Sequence, residues 1–80
     1  MTMSFGEAFK EIRDGKRAMR DGWDGPGQWV AVQWPPEGAK IQHPYLYLST
    51  TDGRFSKLVP WTPSQLDLFA TDWEILEESP

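Results

Sequence analysis

Cysteine is absent from this chain of 80 residues, which limits how so small a fold can be stabilised. A domain of this size buries only about 60% of the surface that its unfolded chain exposes, so its stability is marginal without a metal, a disulfide or a partner. Disulfides and cysteine-ligated zinc are excluded, and a single histidine, His43, excludes a histidine-rich metal site. We therefore expect one domain spanning residues 1–80, without metal or cofactor, that is stabilised by association with further copies of itself.

The charges of the chain are unevenly distributed, and this limits the class of partner. The formal net charge is −4, whereas a protein that binds DNA or RNA polymers needs a basic face to supply most of its affinity. Five of the eight basic residues nevertheless fall in one short stretch: Lys10, Arg13, Lys16, Arg17 and Arg20. We therefore expect a small anionic ligand to be held locally, and no nucleic-acid polymer.

Neither the first residues nor the apolar runs indicate export or membrane insertion. Met1-Thr2-Met3-Ser4 lacks a charged region followed by an apolar stretch, and a run of about 18 apolar residues occurs nowhere in the sequence. We therefore expect a cytoplasmic protein that does not associate with membranes.

The first segment carries the signals that begin and end a helix. Ser4 and Glu7 have the spacing of a capping box, in which each side chain bonds the backbone amide of the other residue. Apolar residues then recur at helical spacing as far as Ile12, and Gly15 can end the helix. The pattern predicts a helix over residues 5–14.

The remaining pattern predicts a small sheet. Alternation and β-favouring residues predict strands at 16–20, 28–34, 45–50, 55–59 and 73–76. We expect the first of these at an edge of the sheet, and an Asp52-Gly53 turn between the third and the fourth. The segment 35–44 is too polar and irregular to assign. The element order predicts an α+β domain, a mostly antiparallel sheet of about five short strands with both helices on one face.

A second, short helix is predicted immediately before the last strand. Thr62 can cap it, with Pro63 at its first position and Gln65 at the third. The backbone amides of Ser64 and Gln65 would then lie at the positive end of the helix dipole and could bind an anion. Their side chains could contact ribose hydroxyls or a base edge, although both residues could equally serve only to complete the cap.

Tryptophan is unusually frequent in this chain, with five residues, and two of them lie in loops. Trp23 is flanked by glycines and Trp61 by prolines, which weakens the case that either ring packs within a regular element. A flat indole face in a loop suits stacking on a planar ligand such as a nucleobase. Trp29, Trp34 and Trp73 lie on or beside predicted strands and are expected to pack.

Residues for catalysis are few. Any nucleophilic serine would depend on His43, which we expect at the surface. The carboxylate pairs Asp21 with Asp24 and Asp67 with Asp72 are more typical of turns and caps than of metal or glycosidase sites. The glycines after Arg20 match neither the dinucleotide fingerprint nor a P-loop. The residues therefore favour binding over catalysis.

Three motifs together resemble one known family. They are Ser4-Phe5-Gly6-Glu7-Ala8 at the first helix, Gly22-Trp23-Asp24-Gly25 after the basic strand, and the run from Val59 to Trp73 with its Pro-Trp, Ser-Gln-x-Asp and Asp-Trp groups. With these motifs the sequence is similar, over nearly its whole length, to the phage Thoeris anti-defence proteins of the second type. Residues 35–44 are the part without a match.

The resemblance implies a protein that sequesters a nucleotide and does not cleave it. Members of the family bind the cyclised ADP-ribose signal of bacterial TIR-domain defence proteins, and some also bind cyclic oligonucleotides of CBASS defence. They form homo-oligomers, commonly tetramers, with pockets at subunit junctions. Matched by position, the ligand-binding residues are Trp23 and Trp61 for stacking, Ser64, Gln65 and Asp67 for polar contacts, and Arg20 and Asp24 as neighbours of the motif.

Two other functions stay open from the sequence. One is a small hydrolase or lyase of the same signal, which would return a cleaved nucleotide. The other is a protein-interaction module that occludes a host protein and binds no nucleotide by itself. If the loop indoles serve a ligand, replacing Trp23 or Trp61 with Ala should remove a stacking contact and leave the fold intact.

Overall fold

The computed structural model describes residues 1–23, 27–51 and 54–76, and it confirms the predicted α+β class. The elements are α1 (Phe5–Arg13), β1 (Arg17–Arg20), β2 (Trp29–Gln33), β3 (Tyr45–Thr51), β4 (Ser56–Pro60), α2 (Gln65–Phe69) and β5 (Trp73–Leu76). Every strand lies within one residue of its predicted bounds. Asp24 and the Asp52-Gly53 turn lie outside the described residues, so the predictions made for them stay predictions.

The five strands form one antiparallel sheet in the order β4-β3-β2-β1-β5. The prediction that β1 lies at an edge is wrong. On one side Ala18 pairs with Val30 of β2, and on the other it pairs with Ile75 of β5. The chain returns from α2 along the outer side of β1, a long-range pairing that alternation within one strand does not reveal.

One face of the sheet, here called the helical face, is covered by α1. The register places Ala18, Val30, Leu48 and Ile75 on this face. Ala8 and Ile12 of α1 pack there, and the core they form with Ala18, Val30 and Trp73 is fully shielded from solvent. Because α1 contacts β1, β2, β5 and α2, the helices lie on one face as predicted.

The ends of α1 follow the sequence signals closely. The Glu7 amide donates to Ser4 Oγ over 3.2 Å, and the Ser4 amide donates to Glu7 Oε1 over 3.1 Å, which completes the capping box. The helix ends at Arg13, one residue before the predicted limit. Gly15 then turns the chain at φ +99°, a conformation that favours glycine.

The segment 35–44 contains neither a helix nor a strand. The Ala39 amide donates to the Pro36 carbonyl over 3.1 Å, and Gly38 has φ +84°, so the segment contains a tight turn. His43 is exposed, as expected. Across the described parts of the chain, neither helix has the length and apolar character needed to cross a membrane.

A core substitution tests this packing. Ile12→Ala should lower the free energy of unfolding by about 2–5 kcal/mol, because it leaves a cavity beneath α1 where Ile12 is fully buried. Leu66→Ala is the matched control, since Leu66 is 79% exposed on α2 and its truncation should cost less than about 0.5 kcal/mol. Urea unfolding followed by circular dichroism measures both. Equal losses in the two variants would contradict the assignment of the core.

Candidate functional site

The second helix begins two residues later than predicted. Its N-cap is Ser64, not Thr62, and Asp67 occupies the third helical position. The Asp67 amide donates to Ser64 Oγ over 3.1 Å, and the Ser64 amide donates to Asp67 Oδ2 over 2.9 Å. The predicted anion site is therefore wrong at Ser64, because the Ser64 backbone amide already donates to the Asp67 carboxylate. Gln65 is exposed at the first position of the helix.

Arg20 makes the long-range contacts of this site. Its Nη1 donates to Asp67 Oδ1 over 2.9 Å, so the carboxylate that caps α2 also bonds the end of β1. Its Nε donates to Asp72 Oδ1 over 2.8 Å. Asp72 Oδ2 in turn accepts the Gly22 amide over 2.9 Å. Arg20 therefore joins β1, the loop that carries Trp23, the start of α2 and the approach to β5.

These contacts shift the pKa values of the three groups. The hydrogen bond from Arg20 holds the pKa of Asp72 below its ordinary value. Burial alone would raise the pKa of Asp67, but the Ser64 amide and Arg20 outweigh it, and the net pKa is lowered. The hydrogen bond to Asp72 raises the pKa of Arg20. All three side chains are charged at neutral pH. The Nε and Nη1 groups of Arg20 already donate to the chain's own carboxylates.

Three indoles meet beside this ion-pair network. Trp73 is fully buried, and its Nε1 donates to the Asp67 carbonyl over 2.9 Å. Trp23 lies 5.4 Å from Trp73 between ring centroids and Trp61 lies 6.2 Å from it, both nearly perpendicular to its plane. Trp23 and Trp61 are each only partly buried. Each ring therefore packs on Trp73 and stays partly accessible, so an Ala substitution would also remove packing on Trp73.

A pocket of about 190 Å³ opens between these two accessible rings. Its lining residues are Trp23, Gln28, Leu48, Trp61 and Asp67. The fold thus brings together Trp23 from one sequence motif and Trp61 and Asp67 from another. Arg20, Ser64 and Gln65 do not line the pocket, and Arg20 and Ser64 instead hold Asp67 in its wall.

Gln28 and Leu48 line the pocket without having been predicted from the sequence. Gln28 is a polar residue between a glycine-rich loop and a strand, a position that does not by itself indicate a binding site. Leu48 reaches the site because its register opposite Val30 places it on the helical face, near Trp61. Residue type alone carries no signal for either position, whereas the pairing of β2 with β3 places Leu48.

Other pockets lie away from these indoles, and two of them are larger. One, of about 370 Å³, lies between α1 and the 35–44 segment, and its lining residues include Arg13, Trp34 and His43. The prediction that Trp34 packs is wrong, since it is 49% exposed just after β2. The other, of about 200 Å³, lies beside Tyr47 and Leu58. Among the described residues, no group of three or more acidic or histidine side chains could hold a metal ion.

Similarity to known proteins covers the whole of this architecture. Residues 3–76, which contain every element from α1 to β5, match the Thoeris anti-defense 2-like domain. The chain is also similar to the Thoeris anti-defense 2 protein of Bacillus phage SP01. The two are 30% identical over 87 aligned positions, which cover 92% of this chain and 94% of that protein. The resemblance inferred from the three sequence motifs is confirmed.

The ion-pair network predicts a fall in stability at acidic pH. Because Asp67 and Asp72 have folded-state pKa values below the ordinary 3.8, their stabilisation is complete above about pH 5. It is lost as the pH falls through the lowered folded-state values. Asp72→Asn should lower the free energy of unfolding at pH 7 by about 1.5–3 kcal/mol and flatten its dependence on pH. Urea unfolding from pH 7 to pH 3 measures both effects.

The control is Asp14→Asn, which removes an exposed carboxylate at the end of α1. Its unfolding free energy should fall with acid as steeply as that of the unmodified protein. An Asp72→Asn variant with the unmodified pH dependence would contradict the role assigned to Arg20 and Asp72.

Proposed function

The chain belongs to the Thoeris anti-defense 2-like family, and we propose that it acts by binding a nucleotide signal of this defence and withholding it from the effector. The proposed ligand is an isomer of cyclic ADP-ribose, with cyclic oligonucleotides of CBASS defence as a second ligand class. The observation that supports the proposal is the pocket between the accessible faces of Trp23 and Trp61. The proposed setting is the host cytoplasm, where such a signal is made.

The angle between the two indoles lets one heterocycle contact both rings. Trp23 and Trp61 lie 6.2 Å apart between centroids at 72°, so they form a corner. A base stacked on one ring meets the other ring edge to face, and both arrangements are favourable between aromatic groups. Leu48 supplies an apolar floor, and the Gln28 amide can donate to or accept from a base edge or a hydroxyl.

Asp67 can make a polar contact although it is already part of the network. A carboxylate offers about four acceptor positions. The described contacts use three of them, from Arg20 Nη1, the Ser64 amide and Ser64 Oγ. One position is left to accept a ribose hydroxyl. Asp67 is the stronger candidate for a polar contact than Gln65, which does not line the pocket.

The pocket is small for a complete dinucleotide. Its volume of about 190 Å³ is below the roughly 300 Å³ at which ligand sites begin. It accommodates the base and part of a ribose, and the phosphates lie outside it. We propose that a second subunit of a homo-oligomer, a tetramer by the family resemblance, covers the remainder of the ligand.

Sequestration requires binding without turnover. The effector responds only to unbound signal, so this chain must be present in an amount similar to the signal and must bind it more tightly than the effector does. No general base is needed for such a role. The proposed activity is accordingly stoichiometric, and the nucleotide released from the denatured protein is unchanged.

Calorimetric titration with cyclic ADP-ribose isomers and cyclic dinucleotides tests the proposal. We expect saturable heat with at least one of them in the absence of any partner protein, and recovery of the intact nucleotide after denaturation. Trp61→Ala should weaken binding by about 1–3 kcal/mol, because it removes a stacking platform. Trp34→Ala is the matched control, since it removes an exposed indole elsewhere on the surface.

Circular dichroism melting must accompany both variants, because Trp61 also contacts Trp73. Absence of heat with every nucleotide would favour a protein-interaction module. Recovery of a cleaved nucleotide would favour a hydrolase or lyase. Equal weakening of nucleotide binding by Trp61→Ala and Trp34→Ala would contradict the assignment of this pocket as the nucleotide site.

A further inference from the structure

The phosphates of the proposed ligand need a cation, and several basic side chains of this acidic chain are already engaged. The chain has eight basic residues and a net charge of −4. Arg20 donates to two carboxylates, Lys16 forms an ion pair on the surface, and Arg17 lies over an indole ring. Lys57 of β4 differs from these. It is exposed, and no carboxylate among the described residues forms an ion pair with it.

The strand register places Lys57 on the helical face, next to the pocket between Trp23 and Trp61, here called the tryptophan pocket. Thr50 of β3 pairs with Lys57, and both lie two positions along their strands from the row that contains Leu48. Because side chains alternate between the faces of a sheet, Thr50 and Lys57 share the face of Leu48. Leu48 and Lys57 are diagonal neighbours, about 7–8 Å apart, which long side chains can span. Since Leu48 lines the tryptophan pocket, the Lys57 ammonium group can reach its margin.

A smaller cavity of about 130 Å³ lies next along the helical face. Its lining residues are Thr50, Thr51, Phe55 and Lys57. Thr50 adds a hydroxyl group that can donate to a phosphate oxygen. Gly27, which precedes Gln28 of the tryptophan pocket, packs against this end of β3, since Thr51 Cγ2 is 3.4 Å from where a Cβ of residue 27 would lie. The segment before β2 therefore passes from one cavity to the other.

The charges of the two cavities differ in sign, and this orients the ligand. Asp67 lines the tryptophan pocket and is ionised at neutral pH, because the Ser64 amide and Arg20 lower its pKa. A carboxylate repels a phosphate placed beside it, whereas an ammonium group attracts one. Lysine commonly binds phosphate as a compact point charge. The base and its ribose therefore suit the tryptophan pocket, and the phosphates suit the side toward β4.

We propose that Lys57, with Thr50 beside it, forms a phosphate subsite for the ligand whose base lies in the tryptophan pocket. The ligand would then extend across Leu48 from the indoles to β4. The inference rests on the proposed function and deepens it, because it assigns residues to the phosphates that the tryptophan pocket leaves outside. The contact is made within one chain, so a second subunit is needed only over the side of the ligand that faces away from the sheet.

A lysine within an edge strand also discourages that strand from pairing with another chain. Lys57 lies in the middle of β4, which is an edge of the sheet. That role depends on the charge of the strand and not on any ligand. Measurements of ligand affinity therefore separate it from a contact with phosphate.

Calorimetric titration with cyclic ADP-ribose isomers tests the subsite. Lys57→Gln should raise the dissociation constant roughly tenfold, because it removes a charge-assisted contact. Lys57→Arg should keep most of the affinity, and Thr50→Val should weaken binding less than Lys57→Gln, since it removes a neutral donor. The matched control is Lys40→Gln, which changes the net charge equally at an exposed lysine that lines neither cavity. Its dissociation constant should equal that of the unmodified protein.

Two further measurements identify the phosphate as the group that Lys57 contacts. Raising the salt concentration to about 1 M shortens the screening length to about 3 Å, so the affinity of the unmodified protein should fall more than that of Lys57→Gln. Adenosine has no phosphate and should bind both proteins equally, as followed by the indole N–H resonance of Trp61. Circular dichroism melting checks that each variant is folded.

An unchanged dissociation constant in Lys57→Gln would overturn the phosphate subsite and leave the proposed function standing. Equal weakening by Lys57→Gln and Lys40→Gln would also overturn it, because net charge alone would then account for the effect. So would an equal loss of affinity for adenosine and for cyclic ADP-ribose in Lys57→Gln, which would indicate damage to the tryptophan pocket. Absence of binding by the unmodified protein with every nucleotide would overturn both proposals.

Discussion

The guanidinium of Arg20 joins segments that lie far apart in the sequence. It bonds Asp67, which caps α2, and Asp72, which holds the Gly22 amide in the loop before Trp23. Trp73 adds a bond from its indole to the Asp67 carbonyl. These bonds connect the segments that carry Trp23 and Trp61, which line one cavity. The candidate site therefore lies beside an ion-pair network whose Arg20 does not itself line the pocket.

Sequence patterns predicted the features that depend on neighbouring residues. The Ser4 and Glu7 capping box, the alternation of β2 and the class of fold are of this kind. The edge assignment of β1 was wrong because β5 pairs with it from the far end of the chain. The Thr62 cap was wrong because Ser64 and Asp67, at the same spacing as Ser4 and Glu7, form the capping box of α2. Two of the loop tryptophans could be singled out from flanking residues. Their shared pocket with Leu48 depends on strand register, which local patterns do not specify.

The two sides of the sheet have different chemistry. The helical face holds the core and, at its margin, the tryptophan corner with a carboxylate and an amide. The opposite face carries aromatic side chains, with the Arg17 guanidinium 5.0 Å from the Trp29 ring centroid and Trp29 edge to face with Tyr47. A small domain with so limited a core has marginal stability by itself.

The indole N–H resonances of the five tryptophans give the most direct test of the corner formed by Trp23 and Trp61. In a two-dimensional nitrogen–proton spectrum, titration with the cyclic ADP-ribose isomer that binds should shift the Trp23 and Trp61 resonances through the ring current of adenine. The Trp34 resonance should stay in place, because that ring is exposed at a different pocket. Shifts confined to Trp34 or Trp29, with Trp23 and Trp61 unmoved at saturation, would contradict the account.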